Sequence, residues 1–280
     1  MASTMVAEPI RAEAVLAALG PTAASRFSDL QVVAETGSTN ADLLSAPGAL
    51  SGLTVRVAER QTAGRGRRAR SWVSAPGAAL AFSVGAHFPG LATSLALLPL
   101  AVGVACCTAL RRLGAPVTLK WPNDLVHLHG DGTLRKLGGI LVELKALGPD
   151  QWWAVCGIGI NVLPAAYQGL PDAESAQLPV SVAELGLDAP RETLLAELLL
   201  ELQTVLDAGP DAWPLLVAAG RAFDSLMGQP VRVIEPQHQW SGIAQGWNDD
   251  GRLQVRDSQG ANHSLVSAEV SVRRQSGVSE

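Results

Sequence analysis

Residues 117–162 read VTLKWPNDLVHLHGDGTLRKLGGILVELKALGPDQWWAVCGIGINV, and this stretch decides the fold. It contains three runs rich in β-branched residues, with glycines near their ends: VTLKW (117–121), GGILVELKA (138–146) and WWAVCGIGINV (152–162). Runs of this kind are typical of sheet strands. We therefore predict that all three belong to one main sheet.

Further strands and helices are predicted on both sides of this stretch. Strand-like runs upstream are QVVAET (31–36), LTVRVAE (53–59) and AALAFSVGA (78–86). Helical spacing of apolar residues predicts a leader helix over 8–19, ended by Gly20-Pro21, and a long helix over 191–209. A short capped helix is predicted from Gly37 toward Leu44.

The run SLALLPLAVGVACCTALRRLG (94–114) is the most apolar part of the chain. It contains Pro99 and Gly103, which favour a kinked, buried core helix over a membrane segment. No run is expected to reach the roughly 18 apolar residues that a membrane span needs. We therefore predict no membrane association.

The sequence pattern changes after Gly228-Gln229-Pro230. Short strand-like runs follow, separated by turns such as NDDG (248–251), and they predict a small all-β barrel. The predicted divisions are an N-terminal leader with a helix (1–28), a main domain (29–225), the barrel (226–275) and a mobile tail (276–280).

Composition limits the classes of function. The 280 residues are 48% hydrophobic and 17% charged, which is the balance of a folded protein. A net charge of -5 provides no global positive field for a nucleic-acid backbone. Three cysteines without a CxxC pair and an N-terminus unlike a signal peptide indicate the cytoplasm. The close pair His127 and His129 lacks visible further ligands, so no structural zinc is expected.

The segment QTAGRGRRARSW (61–72), here called the arginine loop, directly follows a predicted strand. Its glycines let backbone amides approach an anion, and its guanidinium groups can grip carboxylate and phosphate oxygens. The loop matches neither a P-loop nor a dinucleotide fingerprint. Taken alone, it is equally compatible with a solvated basic loop, and a nucleic-acid contact is a third reading.

Four other segments accompany the arginine loop in a fixed order: ETGSTN (35–40), LKWPNDL (119–125), RKLGGILVEL (135–144) and GIGINV (157–162). The five together resemble the biotin protein ligase family over about residues 30–165, with a weaker match through the barrel. The resemblance implies an α+β fold with a mixed sheet packed with helices, similar to class II synthetases, followed by an SH3-like barrel.

The resemblance also implies the reaction. Such enzymes join biotin and ATP into biotinyl-5'-AMP with release of pyrophosphate, use Mg2+, and transfer biotin to a lysine of a biotin carboxyl carrier protein. Main domain 29–225 is then the catalytic biotin- and ATP-binding domain. Since this chemistry needs no covalent enzyme nucleophile, none is expected among the cysteines or serines.

Carried over by position, the family's site residues fall on three overlapping sets. Biotin binding is implied for Ser38, Thr39, Asn40, Gln61, Arg65, Gly66, Arg67, Lys136, Gly138, Gly139, Gly157 and Gly159. ATP binding is implied for Arg65, Arg67, Arg70, Trp72, Asn123, Asp124, Lys136 and Asn161. Catalytic roles are implied for Arg67, Lys136, Asp124 and Arg65.

These residue types suit the chemistry. Hydroxyl and amide groups can satisfy the donors and acceptors of a ureido ring inside a dry pocket. Arginine and lysine can neutralise the charge that builds up when a carboxylate meets a phosphate. Ordinary structural roles stay open: Trp72 as a hydrophobic lid anchor, Asn123-Asp124 as a capped turn, and the glycines as sheet packing.

The chain departs from the family pattern at two places. Ala69 stands where the arginine loop commonly has a second glycine, which stiffens the loop without removing a charge. Only about 30 residues precede the catalytic domain, too few for a winged helix-turn-helix, so a monofunctional ligase is expected, as a monomer or weak homodimer without nucleic-acid binding. The nearest alternative is a lipoate or octanoate ligase, and a more distant one is a nucleic-acid-binding module.

Overall fold

A mixed seven-stranded sheet forms the centre of the main domain. A computed structural model describes residues 8–167, 178–235, 238–266 and 271–274. The seven strands are β1 (Phe27–Thr36), β2 (Leu53–Gln61), β3 (Ala79–Pro89), β4 (Thr118–Lys120), β5 (Asp124–Leu128), β6 (Leu134–Gly148) and β7 (Gln151–Asn161). Their order is β1-β2-β3-β7-β6-β5-β4, with β1 and β2 parallel and the other neighbours antiparallel. All three strands predicted within 117–162 lie in this sheet, which confirms that prediction.

Helices cover the two faces of the sheet unequally. The α-helices of the described residues are α1 (Ala12–Ala24), α2 (Thr39–Ser45), α3 (Leu98–Arg112), α4 (Arg191–Ala208) and α5 (Trp213–Ala219). Even-numbered residues of β7, such as Cys156 and Ile158, join the main core with α3 and α4. Odd-numbered residues Trp153 and Val155 pack instead against Leu43 of α2. The alternation of a strand thus gives one face to the core and the other to α2.

The apolar run predicted as a core helix is α3, preceded by a short 3-10 turn at Ala92–Leu95. Pro99 occupies the first turn of α3, where its missing N–H costs nothing, so the proline starts the helix and does not kink it. The expectation that no run is long enough to cross a membrane is wrong by length and composition, because Ala92–Arg112 spans 21 residues with a mean hydropathy of 2.0. That segment is 67% buried inside the protein, as the core-helix prediction requires.

Near the N-terminus one predicted boundary is confirmed and another differs. The first helical segment of α1 ends at Gly20 as predicted, because Gly20 has non-helical backbone angles (φ 74°, ψ 162°), and Pro21 begins a further helical turn that runs to Ala24. Strand β1 begins at Phe27 and pairs with β2 from Leu53 onward, a long-range contact with no local signal. The division at residue 28 stays a prediction, and the tail 276–280 lies outside the described residues.

A second, five-stranded antiparallel sheet follows the main domain. Its strands are β8 (Pro230–Ile234), β9 (Gln239–Trp247), β10 (Leu253–Asp257), β11 (Asn262–Leu265) and β12 (Ser271–Arg274), in the order β11-β10-β9-β8-β12. It docks on the main domain through tryptophans: Trp121 Nε1 donates to Gly251 O (3.0 Å) and Trp247 Nε1 to Val217 O (3.1 Å). The all-β C-terminal unit predicted from the sequence is confirmed.

Asp224 lies where the chain passes from one sheet to the other. Its Oδ1 accepts from Leu226 N (2.8 Å), while its buried Oδ2 has no hydrogen-bond partner among the described residues. Burial raises the pKa of Asp224 to about 6. Because the folded pKa exceeds the unfolded one, the stability contribution of this group is complete below about pH 4 and is lost as the pH rises through about 6.

Replacing Asp224 with asparagine should therefore stabilise the protein at pH 8. In the wild type, burying the charged carboxylate costs roughly 3 kcal/mol of folding free energy, and the variant avoids this cost. Asparagine still offers an acceptor for Leu226 N. Because its new NH2 group must also be desolvated, the net gain in the free energy of unfolding should be about 1–2 kcal/mol. Thermal unfolding at pH 8 and pH 5 measures it: the gain should shrink at pH 5. A gain of equal size at both pH values, or one also given by Asp250→Asn on the exposed turn, would contradict this account.

Candidate active site

Two neighbouring rows of paired residues cross the sheet on the face that carries α2. The first row is Ser83, Gly157 and Leu141 on β3, β7 and β6. The second row is Ala81, Gly159, Gly139 and Asp124 on β3, β7, β6 and β5. The rows are two residues apart along each strand, so they are separated by about 7 Å. Each has a glycine of β7 at its centre.

The side chain of Asn40 lies over the first row. A Cβ at Gly157 would come within 2.2 Å of Asn40 Oδ1, so only glycine admits this amide. Asn40 Oδ1 lies 2.6 Å from Ser83 Oγ, and Nδ2 donates to Glu143 Oε2 (2.8 Å) and Leu141 O (3.2 Å). Both ends of the amide are thereby fixed to the sheet.

Thr39 and Gln61 meet beside this amide, and the adjoining Ser38 is also buried. Ser38 and Thr39 are buried with 5% and 3% of their surface exposed. Thr39 N donates to Gln61 Oε1 (2.9 Å), and Thr39 Oγ1 lies 2.7 Å from Ser83 Oγ. Ser38 occupies the N-cap position of α2, but its side chain makes no capping hydrogen bond to the described backbone. The predicted cap is therefore wrong, and the helix does not use the Ser38 hydroxyl.

The arginine loop is closed at its base by backbone hydrogen bonds. Trp72 N donates to Gly64 O (2.9 Å) and Gly66 N to Arg70 O (2.7 Å). At its tip is a short 3-10 turn, in which Arg68 has left-handed backbone angles (φ 57°, ψ 42°). Because the left-handed position is Arg68 and not Ala69, the alanine found in place of a family glycine meets no such backbone penalty.

Trp72 ends the loop with its indole over the second row. A Cβ at Gly159 would lie 2.5 Å from Trp72 Cε2, so the ring rests directly on the glycine. Trp72 Nε1 is buried without a hydrogen-bond partner in the part of the chain that the structure describes. The indole therefore anchors the loop to β7, and it also presents an unused donor next to the second row.

Cations gather around Asp124 at the end of the second row. Lys136 Nζ lies 2.7 Å from Asp124 Oδ1, and Lys120 Nζ lies 3.8 Å from Oδ2. Burial by itself would raise the pKa of Asp124, but the charges of Lys136, Lys120 and Arg67 outweigh it and hold the pKa below its usual value. Asp124 is thus a carboxylate that organises positive groups.

Arg67 reaches this cluster from the arginine loop. Its Nη1 donates to Asn123 Oδ1 (3.1 Å), and Asn123 Nδ2 donates in turn to Ile140 O (2.8 Å). Burial lowers the pKa of Arg67, and neighbouring Arg68 and Arg70 lower it further. A guanidinium with reduced solvation and two like-charged neighbours favours the arrival of an anion.

The other predicted residues lie in different surroundings. Arg65 Nη2 lies 3.3 Å from Glu143 Oε1 and 3.4 Å from Oε2, so Arg65 lies beside the first row, and its charge-neutralising role stays a prediction. Arg70 is exposed. Asn161 Nδ2 donates to Val180 O (3.1 Å) and Lys136 O (3.3 Å), which leaves only its Oδ1 for a nucleotide.

The predicted glycines mostly make room for protein atoms. Gly157 accommodates Asn40, Gly159 accommodates Trp72, and a Cβ at Gly138 would lie 2.4 Å from Gly159 O. Gly139 has ordinary spacing, with its Cβ position 3.6 Å from Lys136 Nζ. Direct contact between these glycines and a ligand stays a prediction.

The sequence prediction missed three site residues: Ser83, Glu143 and Lys120. Ser83 is the single polar side chain in the apolar run AALAFSVGA, and it is fully buried. Lys120 is one of only three lysines, and Glu143 lies within a segment used for the resemblance. An isolated buried hydroxyl in a strand was the usable signal, because a buried polar group needs a partner.

Replacing Gly159 with alanine should displace the Trp72 indole and weaken ligand binding. The new methyl group would lie 2.5–2.9 Å from three ring atoms, so the ring must move. Since the resemblance implies ATP binding here, we expect the dissociation constant for ATP, measured by titration, to rise about tenfold. Gly148→Ala, at the far end of the same hairpin in open space, is the matched control. If the clash with the Trp72 ring causes this loss of affinity, Gly159→Ala should have little further effect in a protein that already carries Trp72→Ala. Fully additive effects of the two substitutions would contradict this explanation.

Comparison with known proteins places these residues in a family context. The model of the "Biotin/lipoate A/B protein ligase family" matches residues 34–161, and that of the "Biotin protein ligase C terminal domain" matches residues 226–273. The biotin--[acetyl-CoA-carboxylase] ligase of Mycobacterium tuberculosis is 39% identical over 240 residues, covering 82% of this chain and 84% of the relative. The bifunctional ligase/repressor BirA of Escherichia coli is 33% identical, covering 84% of this chain and 71% of the relative.

A solved structure shows the same architecture. The biotin protein ligase from Aquifex aeolicus in complex with biotin and ATP superposes with a TM-score of 0.71 at 27% identity. The match covers 89% of this chain and 100% of the Aquifex chain.

Proposed function

The chain belongs to the biotin protein ligase family and is an ATP-dependent biotin ligase. We propose that each of its two rows of paired residues binds one of the two small substrates. The first row and α2 hold biotin. The second row, with Arg67, Lys136 and Trp72, holds the nucleotide. The observation that carries this proposal is the cation cluster around Asp124, one row away from the buried polar groups of α2.

The first row supports recognition of a small neutral polar ring. Ser38, Thr39 and Gln61 present hydroxyl and amide groups within a buried region. A ureido ring needs both donors and acceptors there, because an unpaired polar atom in a dry pocket is costly. The Ser38 hydroxyl, which α2 does not use, is the group best placed to bind it.

Adenylation joins two anions, so its barrier is mainly electrostatic. An oxygen of the biotin carboxylate attacks the α-phosphorus of ATP, the bond from that phosphorus to the bridging oxygen breaks, and pyrophosphate leaves. Arg67 and Lys136 approach from the loop and from β6, and Asp124 and Asn123 hold their charged groups in place. Preorganised cations of this kind stabilise the transition state without a covalent enzyme intermediate.

Transfer needs a protected intermediate. The carrier's lysine amine attacks the acyl carbon of biotinyl-5'-AMP; the new C–N bond forms, the C–O bond to AMP breaks, and the amine loses a proton. Water competes for the same carbon. The Trp72 indole on Gly159 and the Arg67 contact with Asn123 keep the arginine loop over the second row, which supports its role as a lid.

Magnesium fits this site as an ion carried by the nucleotide. Both oxygens of the Asp124 carboxylate face lysine ammonium groups, and the described residues contain no group of three His, Cys, Asp or Glu side chains able to hold a metal. Mg2+ commonly relies on substrate phosphates together with one or two carboxylates. When bound, it would neutralise phosphate charge, and Asp124 or Asn123 would be its nearest protein ligands.

The carrier, compartment and assembly are also part of the proposal. The mycobacterial relative's name supports a carboxylase carrier domain as acceptor. Three buried free thiols support a reducing compartment, the cytoplasm. We also propose that the protein is a monomer or weak homodimer. The boundary between its catalytic domain and its barrel domain is proposed to lie near residue 225.

The alternative substrate is lipoate, since one matching family model covers both biotin and lipoate ligases. The match to a C-terminal domain of biotin protein ligases favours biotin. Isothermal titration with biotin and with lipoate tests the choice, followed by labelled-biotin transfer to a carrier domain with ATP and Mg2+. We expect binding and transfer with biotin only. Binding of lipoate alone, or pyrophosphate release that depends on lipoate, would overturn the proposal.

A further inference from the structure

A chain of side-chain contacts runs from α2 across the first row to the arginine loop. Its links are Thr39 Oγ1 to Ser83 Oγ (2.7 Å), Ser83 Oγ to Asn40 Oδ1 (2.6 Å), Asn40 Nδ2 to Glu143 Oε2 (2.8 Å) and Glu143 Oε1 to Arg65 Nη2 (3.3 Å). Three of its members, Ser83, Thr39 and Asn40, are 0%, 3% and 4% exposed.

The donors and acceptors fix the direction of most hydrogen bonds in this chain. Asn40 Nδ2 faces two acceptors, Glu143 Oε2 and Leu141 O, so the amide cannot be reversed. Its Oδ1 only accepts, so the one hydroxyl hydrogen of Ser83 must point to Asn40. Thr39 Oγ1 carries one hydrogen and faces two acceptors, Ser83 Oγ (2.7 Å) and Gln61 Oε1 (3.2 Å), while Gln61 Oε1 also accepts from Thr39 N. The direction of donation is therefore fixed from Ser83 through Asn40 to Glu143.

Glu143 is the point where this chain meets the arginine loop. It lies on β6, its side chain is 26% exposed, and its second oxygen pairs with Arg65, which is 48% exposed. A second link between loop and sheet joins Arg67 to Asn123, just before β5. Trp72 on Gly159 and Arg67 on Asn123 hold the loop at the second row, and Glu143 holds it beside the first.

We propose that Ser83 and Glu143 are positioning residues that couple the biotin-binding face of α2 to the order of the arginine loop. Ser83 orients Asn40 from below, and Glu143 holds Asn40 and Arg65 together. Disturbing either end should change both biotin binding and loop closure. This inference rests on the proposed division of the two rows, and it adds residues for which the resemblance implied no role.

Two substitutions of Glu143 separate its two links. In Glu143→Gln the side chain can still accept from Asn40 Nδ2 but loses the charge that pairs with Arg65. In Glu143→Ala both links are lost. Ser83→Ala removes the donor to Asn40 while leaving the ion pair with Arg65. The matched control is Glu201→Gln on α4, a glutamate of similar exposure (17%) paired with Arg112 on α3, outside both rows.

Three readouts test the coupling: the KM for biotin in pyrophosphate release, the rate at which biotinyl-5'-AMP leaves the enzyme, and trypsin cleavage at the loop arginines of the ligand-free protein. In Glu143→Gln the KM for biotin should stay within about threefold of the wild-type value. The adenylate should dissociate, and trypsin should cleave the loop, about fivefold faster than in the wild type, which corresponds to the stabilisation lost with one ion pair. Glu143→Ala and Ser83→Ala should raise the KM for biotin tenfold or more, the usual effect of an unpaired buried amide.

The opposite results are equally clear. If Glu143→Gln matches Glu201→Gln in all three readouts, or Ser83→Ala leaves the KM for biotin unchanged, the coupling is refuted. Unfolding temperatures show whether Glu143→Ala folds; if it does not, Glu143→Gln, which has the same shape, decides the question. Failure of the wild type to form an adenylate would overturn the proposed function, while trypsin cleavage of the ligand-free variants would still test the attachment of the loop.

Discussion

Replacing Arg67 with alanine is expected to lower the kcat/KM for biotin adenylation about 100- to 1,000-fold, the usual effect of removing one preorganised charged donor. Arg67 is half-buried, its pKa is lowered by burial and by Arg68 and Arg70, and its guanidinium is held by Asn123. Its charge is therefore poorly solvated and directed at the second row. Assays of the initial rate of pyrophosphate release, at several biotin concentrations, measure the decrease in kcat/KM.

The same substitution should also open the arginine loop. Without the Arg67 link to Asn123, any adenylate formed is expected to escape, so free biotinyl-5'-AMP should accumulate in solution. Arg60→Ala is the matched control, because Arg60 precedes the loop on β2 and makes only an exposed ion pair with Glu35. Unchanged biotin affinity and adenylate formation in Arg67→Ala would reject the assigned role.

Replacing Lys136 with alanine is expected to slow adenylation by a similar factor, about 100- to 1,000-fold. Lys136 provides the cation nearest to Asp124, at 2.7 Å, and lies on β6 opposite the loop. The loss should fall mainly on the rate of pyrophosphate release, with a smaller change in biotin affinity. A normal rate of pyrophosphate release would exclude Lys136 from the chemistry.

The loss of Lys136 also has a structural consequence that must be separated from catalysis. It leaves the Asp124 carboxylate without its closest partner, which is expected to destabilise the fold by a few kcal/mol. The double variant Lys136→Ala with Asp124→Asn removes the unpaired charge, so stability should recover while adenylation stays slow. Arg135→Ala, a neighbouring cation that faces Asp131, is the control.

Much of the fold was predictable because it depends on local patterns. The three strands predicted within 117–162 follow from their β-branched residues and flanking glycines, and α3 and α4 follow from their apolar residues. Strand β5 (Asp124–Leu128), a fourth strand within this stretch, was not predicted. One error concerns a local signal that the folded chain does not use: Ser38 holds the N-cap position of α2 without forming the cap.

The chemical identity of the site was also largely present in the sequence. The resemblance pointed to Ser38, Thr39, Gln61, Arg67 and Lys136, and the structure brings these residues to one face of one sheet. It assigned Arg65 to charge neutralisation, which stays a prediction, and Arg65 pairs with Glu143 beside the first row. The sequence gives the residue types and their neighbours along the chain. It does not show which cationic side chain pairs with which carboxylate in the folded protein.

Local patterns were enough to predict most strands, the long helices and the set of charged and polar groups that the chemistry needs. The packing of the folded chain was needed to show that Asn40 lies on Gly157, that Trp72 lies on Gly159, and that Ser83 and Glu143 connect α2 to the arginine loop. The physical reason is the register of β3, β7 and β6. Pairing of β3 with β7 brings together residues 74 positions apart, Ser83 and Gly157, and a shift of one residue in that pairing would turn Ser83 to the face opposite Asn40.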